Sequence, residues 1–297
     1  MPLAGPSGSA LRLGVNIAIF ATVAIGLQII WGFCGQPSFA QAALYGVGAY
    51  AFAILTVRHG VAPWPALAGA TVCGGVAGML LGLPALRVSP EQVALVTFAL
   101  GEVLRVIEAN ASFTGGSGGL AGVAPLTLAG RDLVSAGDFY RPALVLVAIA
   151  YLVARWLRGS AAGRAMFAVR ADELAARTMG VRPGALKLFA FGLGGALAGV
   201  AGGFSASFSS FVSSVSFGIV PSFQIVVMVL LGGLGRIGGA VLGAAVVLAV
   251  DDQLQSRPGV RLGVTGAAMI VVVLTRAGSL RAAGDLVRVR FRRAVAA

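Results

Sequence analysis
The sequence predicts an all-α polytopic membrane protein, with about 8–9 transmembrane helices and a short helix in a cytoplasmic loop. Three observations carry that expectation. Of the 297 residues, 58% are hydrophobic and only 11% charged, whereas soluble domains carry about a quarter charged residues. Runs of about twenty residues with almost no charge recur along the chain, each long enough to cross a hydrocarbon core about 30 Å thick as a helix. Because these runs do not alternate polar and apolar residues, a β-barrel is excluded. The third observation is the 44 glycines, since small residues let helix backbones approach closely where lipid gives no hydrophobic drive for association.

A net charge of +12 raises nucleic acid as a partner, but the arginines lie between apolar runs and in the tail, not on one soluble face. They read as topology determinants in a protein whose surroundings are lipid, with no nucleic acid. Cys34 and Cys73 lie in apolar stretches without metal-ligand spacing and read as small buried hydrophobes. No basic segment or small-residue cleavage pattern marks the first apolar run as a signal peptide, so it is expected to be a retained span.

That first run, 13–33, is interrupted only by Asn16, Thr22 and Gln28. A break follows at Cys34-Gly35-Gln36-Pro37-Ser38, where Pro37 lacks an amide hydrogen and disfavours helix at Gln36; such a break is tolerable at membrane depth only against protein or a water-filled cavity. The second run is 39–57. The third, 63–86, carries Gly74, Gly78 and Gly82 at four-residue spacing on one helical face, a candidate packing face. In the fourth, 92–109, Glu102, Arg105 and Glu108 are spaced three apart on one side of a helix, and must pair or face water or the bundle interior. The connection 110–141 opens with a glycine cluster, Thr114 to Leu120; with no Gly-Lys-Ser/Thr after it and no strand before it, a surface turn is expected and not a phosphate loop.

A short fifth span, 142–157, leads into a polar, basic insertion at 159–187. The sixth run, 188–208, is built on glycines and followed by a serine-rich stretch. Pro221 marks a new start at 222–234, which meets Gly232-Gly233-Leu234-Gly235-Arg236-Ile237-Gly238-Gly239, either a tight hairpin or a broken helix, with 240–250 continuing beyond. A last span is expected at 260–274. A single membrane domain over 1–276 is thus followed by a basic tail, 277–297. With the insertion and the tail cytoplasmic, fifteen Arg and Lys residues fall inside and five outside, as the positive-inside rule requires, and the count gives roughly nine crossings with an external N-terminus. Polar groups at the breaks and in the charged run, Gln36, Ser38, Glu102, Arg105 and Gln224, are the candidates for lining a pathway.

Within the insertion, 164–179 contains no proline or glycine, is rich in alanine and is flanked by Gly163 and Gly180; one helix of about four turns is expected, starting near Ser160 to Arg164 and stopped by Gly180 before Pro183. Its alanines leave one surface flat, while Arg164, Arg170 and Arg177 alternate with Asp172 and Glu173 on the other. Such a helix suits docking into a groove on another protein, or lying on lipid headgroups.

The stretch from Gly163 to Gly180, running on to Lys187-Leu188-Phe189-Ala190-Phe191, closely resembles the coupling loop of branched-chain amino acid ABC transporter permeases of the LivM type. Glu173, Ala175-Ala176 and Gly180 also resemble a variant of the wider importer EAA signature, with Leu174 inserted. Three further stretches resemble the same family: Gly35 to Phe39 with Gly46 to Tyr50; Thr97 to Val103 with Thr114 to Leu120; and Leu231 to Gly235 with Gly239 to Ala244. Together they cover about residues 13–276; Pro37 departs from the family, which more often has another residue there.

The resemblance implies an importer subunit without catalytic residues, for branched-chain or related amino acids, in a bacterial inner membrane. Gly163, Arg164, Arg170, Asp172, Glu173, Ala175, Ala176 and Gly180 would form the helix that docks on a cytoplasmic ATPase. The implied partners are two ATPase subunits, which hold the ATP and magnesium, a second LivH-like permease and an extracytoplasmic substrate-binding protein. The residues agree by omission: there is no Walker motif, no nucleophile with a base and one histidine, His59, so this chain holds no cofactor and its energy must come from another. The alternative is an ion-coupled transporter or channel for small polar solutes such as urea or amides, which would use the Glu102/Arg105/Glu108 row.

Overall fold
The structure is a computed structural model that describes residues 6–128, 130–254 and 266. The first run forms α1 (Pro6–Leu27), continued by a π-helical turn over Gln28–Phe33. A non-helical segment through Pro37 then leads to α2 (Gln41–Val57), α3 (Pro63–Gly82), α4 (Pro90–Asn110) and α5 (Ala136–Gly159). The insertion forms α6 (Ala161–Ala171) and α7 (Glu173–Thr178), and α8 (Pro183–Ser209), α9 (Ile219–Gly232) and α10 (Ile237–Gln253) follow. Helix starts follow local chemistry. α3, α4 and α8 have proline in the first turn, where the missing amide hydrogen would lack a partner anyway. Ser89 with Gln92 and Ser135 with Asp138 form capping boxes on α4 and α5.

Contacts divide the chain into a unit of residues 1–249 and a unit of residues 250–297, whose described part is the end of α10 and Gly266. In the first unit, successive helices alternate between two ends. At the basic end, Lys187 near the start of α8 donates to the Ala85 carbonyl at 3.0 Å, and the Gln28 amide donates to the Gly233 and Arg236 carbonyls at 2.7 and 2.9 Å. At the opposite end, Arg58 donates to the Ser112 carbonyl (3.0 Å), Trp64 to the Thr127 carbonyl (2.7 Å), and the Leu126 amide to the Ser207 hydroxyl (2.7 Å).

The interior is assembled on α8, which packs against α1, α2 and α3. The expected glycine face of α3 is one half of this seam: a side chain at Gly74 would meet the backbone of Gly195 and Gly199, and one at Gly78 the backbone of Phe191 and Gly195. On other faces of α8, Gly194 approaches Gly26 of α1, and Gly202 approaches Tyr45 and Ala49 of α2. Three helices reach the α8 backbone at once because no side chain stands between.

Five helical segments among the described residues are long and apolar enough to cross a membrane by length and composition: Gly8–Phe33, Pro63–Gly82, Ala136–Gly159, Pro183–Ser209 and Ser214–Gly232. The protein is an all-α, multi-pass membrane protein. The fifth span is longer than the 142–157 expected from its apolar run, because the Ser135 cap starts the helix before Pro142 and the helix runs on to Gly159. The glycine cluster forms short 3-10 turns, with Gly115, Gly116 and Gly119 at positive φ, and the next two residues, β1 (Leu120–Ala121), pair with β4 (Phe211–Val212); β2 (Thr127–Leu128) pairs with β3 (Arg131–Asp132). The stretch 232–239 is a tight hairpin between α9 and α10, turned by Gly233 and Gly235 at φ 94° and 85°. The expected span at 260–274 and the tail at 277–297 lie outside the described residues.

Candidate functional site
The insertion forms a two-helix cap over the basic end. Where one helix over 164–179 was expected, there are two, broken at Asp172, whose backbone is extended (φ −158°, ψ 111°) and whose carboxylate accepts from the Leu174 and Ala175 amides at 2.9 and 3.0 Å. The reason is local: Asp is a poor residue for a helix interior and a strong one for an N-cap. The outer limits agree with expectation, since Ser160 caps α6 and Gly180 ends α7 at φ 82°.

α6 seats on the break after α1. Met166 and Val169 are buried beneath it, and the Phe167 ring lies 5.0 Å from that of Phe33. Arg170 donates to the Gly32 carbonyl, lies against Gly35, and brings a guanidinium nitrogen close to Gly235 in the α9–α10 turn. Arg170, exposed along part of its length, therefore ties the cap to the end of the π-helical turn and to the hairpin. Gly163 is buried, and a side chain there would strike the Leu157 carbonyl.

α7 is held by Glu173. Its carboxylate accepts from Lys187 at 2.9 Å and from Arg177 at 2.7 Å, and Lys187, 2% exposed, also donates to Ala85. Burial opposes ionisation of Glu173, but the hydrogen bonds from Lys187 and Arg177 outweigh it and hold the carboxyl below the usual range. Ala176 is buried and Ala175 exposed. Of the charges expected to face a partner, Arg164, Arg170 and Asp172 are exposed, although Arg170 spends a hydrogen bond on the Gly32 carbonyl, while Glu173 is half-buried and paired with Lys187. Two apolar residues of the cap face out instead: Leu174 is 73% exposed and Met179 83%. Their apolar character within a polar loop was the available sequence signal, hidden by the charges around them.

The break itself lies inside the fold. Gln36 and Ser38 are buried; the Gln36 side-chain oxygen has no hydrogen-bond partner among the described residues, and the Ser38 hydroxyl accepts from the Ala40 amide at 3.4 Å. Phe39 donates its amide to the Thr97 hydroxyl of α4 (3.2 Å) and stacks edge-on to Phe223 of α9 at 5.4 Å, next to buried Gln224. Thus Phe39, which follows Gln36 and Ser38 in the break, is the residue that meets α4 and α9, the latter carrying Gln224. Glu102 and Arg105 are apart from this group, hydrogen-bonded to each other on a half-buried flank of α4. The third charge of the row, Glu108, does not join them: it is buried, and neither carboxylate oxygen has a partner among the described residues.

Residues 9–273 match the family described as the permease component of branched-chain amino acid transport systems. Similar proteins include the high-affinity branched-chain amino acid transport system permease protein LivM of Salmonella typhimurium, 33% identical over 82% of this chain and 64% of that protein, and LivM of Escherichia coli K12, 32% identical over 80% and 61%. The autoinducer 2 import system permease protein LsrC of Yersinia pestis is 35% identical over a shorter stretch, 37% of this chain and 33% of that protein. The chain thus spans less than two thirds of the length of the LivM proteins it matches. With the family match running almost end to end, this chain belongs to the branched-chain amino acid transport system permease family.

Proposed function
We propose that the protein is the transmembrane permease subunit of an ATP-binding cassette importer that moves branched-chain or related amino acids across the bacterial inner membrane. One observation carries this reading: the basic insertion is a folded cap that presents Leu174 and Met179 outward while Arg170 grips the break after α1. An apolar pair on a short exposed helix suits a groove on a cytoplasmic ATPase. Exposed Arg164 and Asp172 would set the register of docking more than its affinity. A movement of the cap would be passed through Arg170 to Gly32 and on to the segment of Gln36 and Ser38, where α4 and α9 meet it.

The partners in this reading are two ATPase subunits, which carry the ATP and magnesium, a second LivH-like permease and an extracytoplasmic binding protein that delivers substrate. The expected span at 260–274 would add a final crossing and place the basic tail in the cytoplasm. The test is reconstitution with the partner subunits. Leu174→Asp combined with Met179→Asp is expected to abolish ATPase co-purification and ATP-driven leucine uptake while leaving the chain's elution profile in detergent unchanged. Unimpaired ATPase capture would remove the cap's assigned role. Solute uptake by the chain alone, in liposomes lacking any ATPase, would favour the ion-coupled transporter or channel.

A further inference from the structure
A groove of about 510 Å³ runs along the surface of the helix bundle between α3 and α5. Leu67 of α3 and Val145, Ile149 and Val153 of α5 form its walls, and Leu197 and Phe204 of α8, both buried, form its floor. The three α5 residues recur every four positions and so make one stripe along the helix. From Pro142 at one end of the groove to Val153 at the other, α5 rises about 16 Å, half of a hydrocarbon core about 30 Å thick. Charge borders the groove at one end only. Arg141 lies one turn before Val145, at the end of α5 away from the cap, and is exposed. It makes no hydrogen bond or ion pair among the described residues. Asp138, one turn earlier, gives its carboxylate to the Ser135 cap instead. An arginine so placed lays its methylene stem on apolar surface and holds its charged head at the polar boundary.

We propose that the groove holds one acyl chain of an anionic phospholipid, in the leaflet opposite the cap, with the Arg141 guanidinium donating to the lipid phosphate. The planar fork of donors on arginine pairs with phosphate oxygens, and an apolar stripe one leaflet long continues from it. A zwitterionic headgroup answers Arg141 less well, because it carries its own cation beside the phosphate. A helix of another protein chain also fits less well: bulky Val, Ile and Leu side chains line the walls, whereas helix meets helix in this protein where glycines leave the backbones bare. The site requires neither the transported solute nor an ATPase, and holds whether or not the transport reading above does.

The test is native mass spectrometry of the full chain in detergent, titrated with a phosphatidylglycerol, a phosphatidylcholine with the same acyl chains, or glycerol 3-phosphate. One phosphatidylglycerol is expected to bind about tenfold more tightly than phosphatidylcholine, and glycerol 3-phosphate, which lacks the chain, not to bind. Arg141→Gln should weaken that site about tenfold, as loss of a charge-assisted contact requires. Ile149→Trp fills the groove, leaves the arginine in place and should abolish binding, while Arg155→Gln, towards the other end of α5, should leave it unchanged. All three positions are exposed, so the variants keep the packed interior intact. The proposal is overturned if phosphatidylcholine or glycerol 3-phosphate binds as well as phosphatidylglycerol, if Arg141→Gln or Ile149→Trp keeps the parent affinity, or if Arg155→Gln loses as much as Arg141→Gln. Self-association of the parent chain that Ile149→Trp disrupts overturns it too, by making the groove an interface between protein chains.

Discussion

The seam between α3 and α8 and the cap formed by α6 and α7 are both rich in glycine and alanine, yet opposite means hold them. In the seam, Gly74, Gly78, Gly195 and Gly199 bring backbone against backbone, and the contact depends on atoms that are missing. In the cap, a few directed bonds fix an exposed element: Arg170 to Gly32, Asp172 to the α7 amides, and Glu173 to Lys187 and Arg177. In the seam the backbones leave no room to yield, whereas the cap combines these bonds with the packing of Met166, Val169 and Phe167 beneath α6. The two elements are therefore distinguished by how they are joined rather than by composition.

The largest effect is expected in the seam. Gly195→Leu, whose Cβ would already lie 2.9 Å from the Gly78 Cα, should cost at least about 3 kcal/mol and lower the thermal midpoint of the detergent-solubilised chain. Gly159→Ala, at the junction with the cap where nothing lies within 4 Å, should change it by less than about 0.5 kcal/mol. Similar losses at both positions would erase the distinction.

A smaller effect is expected at the buried end of the cap. Glu173→Gln leaves Lys187 charged and buried without a counter-charge, and should destabilise by about 2 kcal/mol, whereas Lys187→Met removes the need for the pair and should cost less than about 1 kcal/mol. A reversed order would mean that the pair contributes by attraction alone. The pH dependence follows in sign. The Glu173 carboxyl titrates below its unfolded value, so its contribution is complete above the ordinary glutamate range, about pH 4.3, and is lost as pH falls through the depressed folded value. Thermal midpoints of the parent and Glu173→Gln chains should converge on acidification.

The smallest effect lies at the junction of the two cap helices. Asp172→Ala should cost about 1 kcal/mol through loss of the α7 N-cap, and Asp172→Asn almost nothing, because asparagine caps as well. With ATPase docking measured on the same two variants, a defect in Asp172→Asn would isolate the charge from the cap.

The sequence carried what depends on composition and spacing along one helix. The apolar runs marked the membrane fold, the four-residue repeat of Gly74 and Gly78 marked the packing face of α3, and Ser160 and Gly180 bounded the cap. The motifs around Gly163 and Glu173 pointed to the family. What spacing left open was which partner each polar group would find. Glu102, Arg105 and Glu108 share one periodicity, but only the approach of α2 at Gly46 decides that Glu108 is enclosed alone. Arg170, Asp172 and Glu173 read as one charged surface, and the tertiary structure gave them a carbonyl on the π-helical turn after α1, two amides on α7 and a lysine on α8. A sequence determines where charge lies along a helix; which charge is neutralised depends on segments far along the chain, and those meet only when the fold closes.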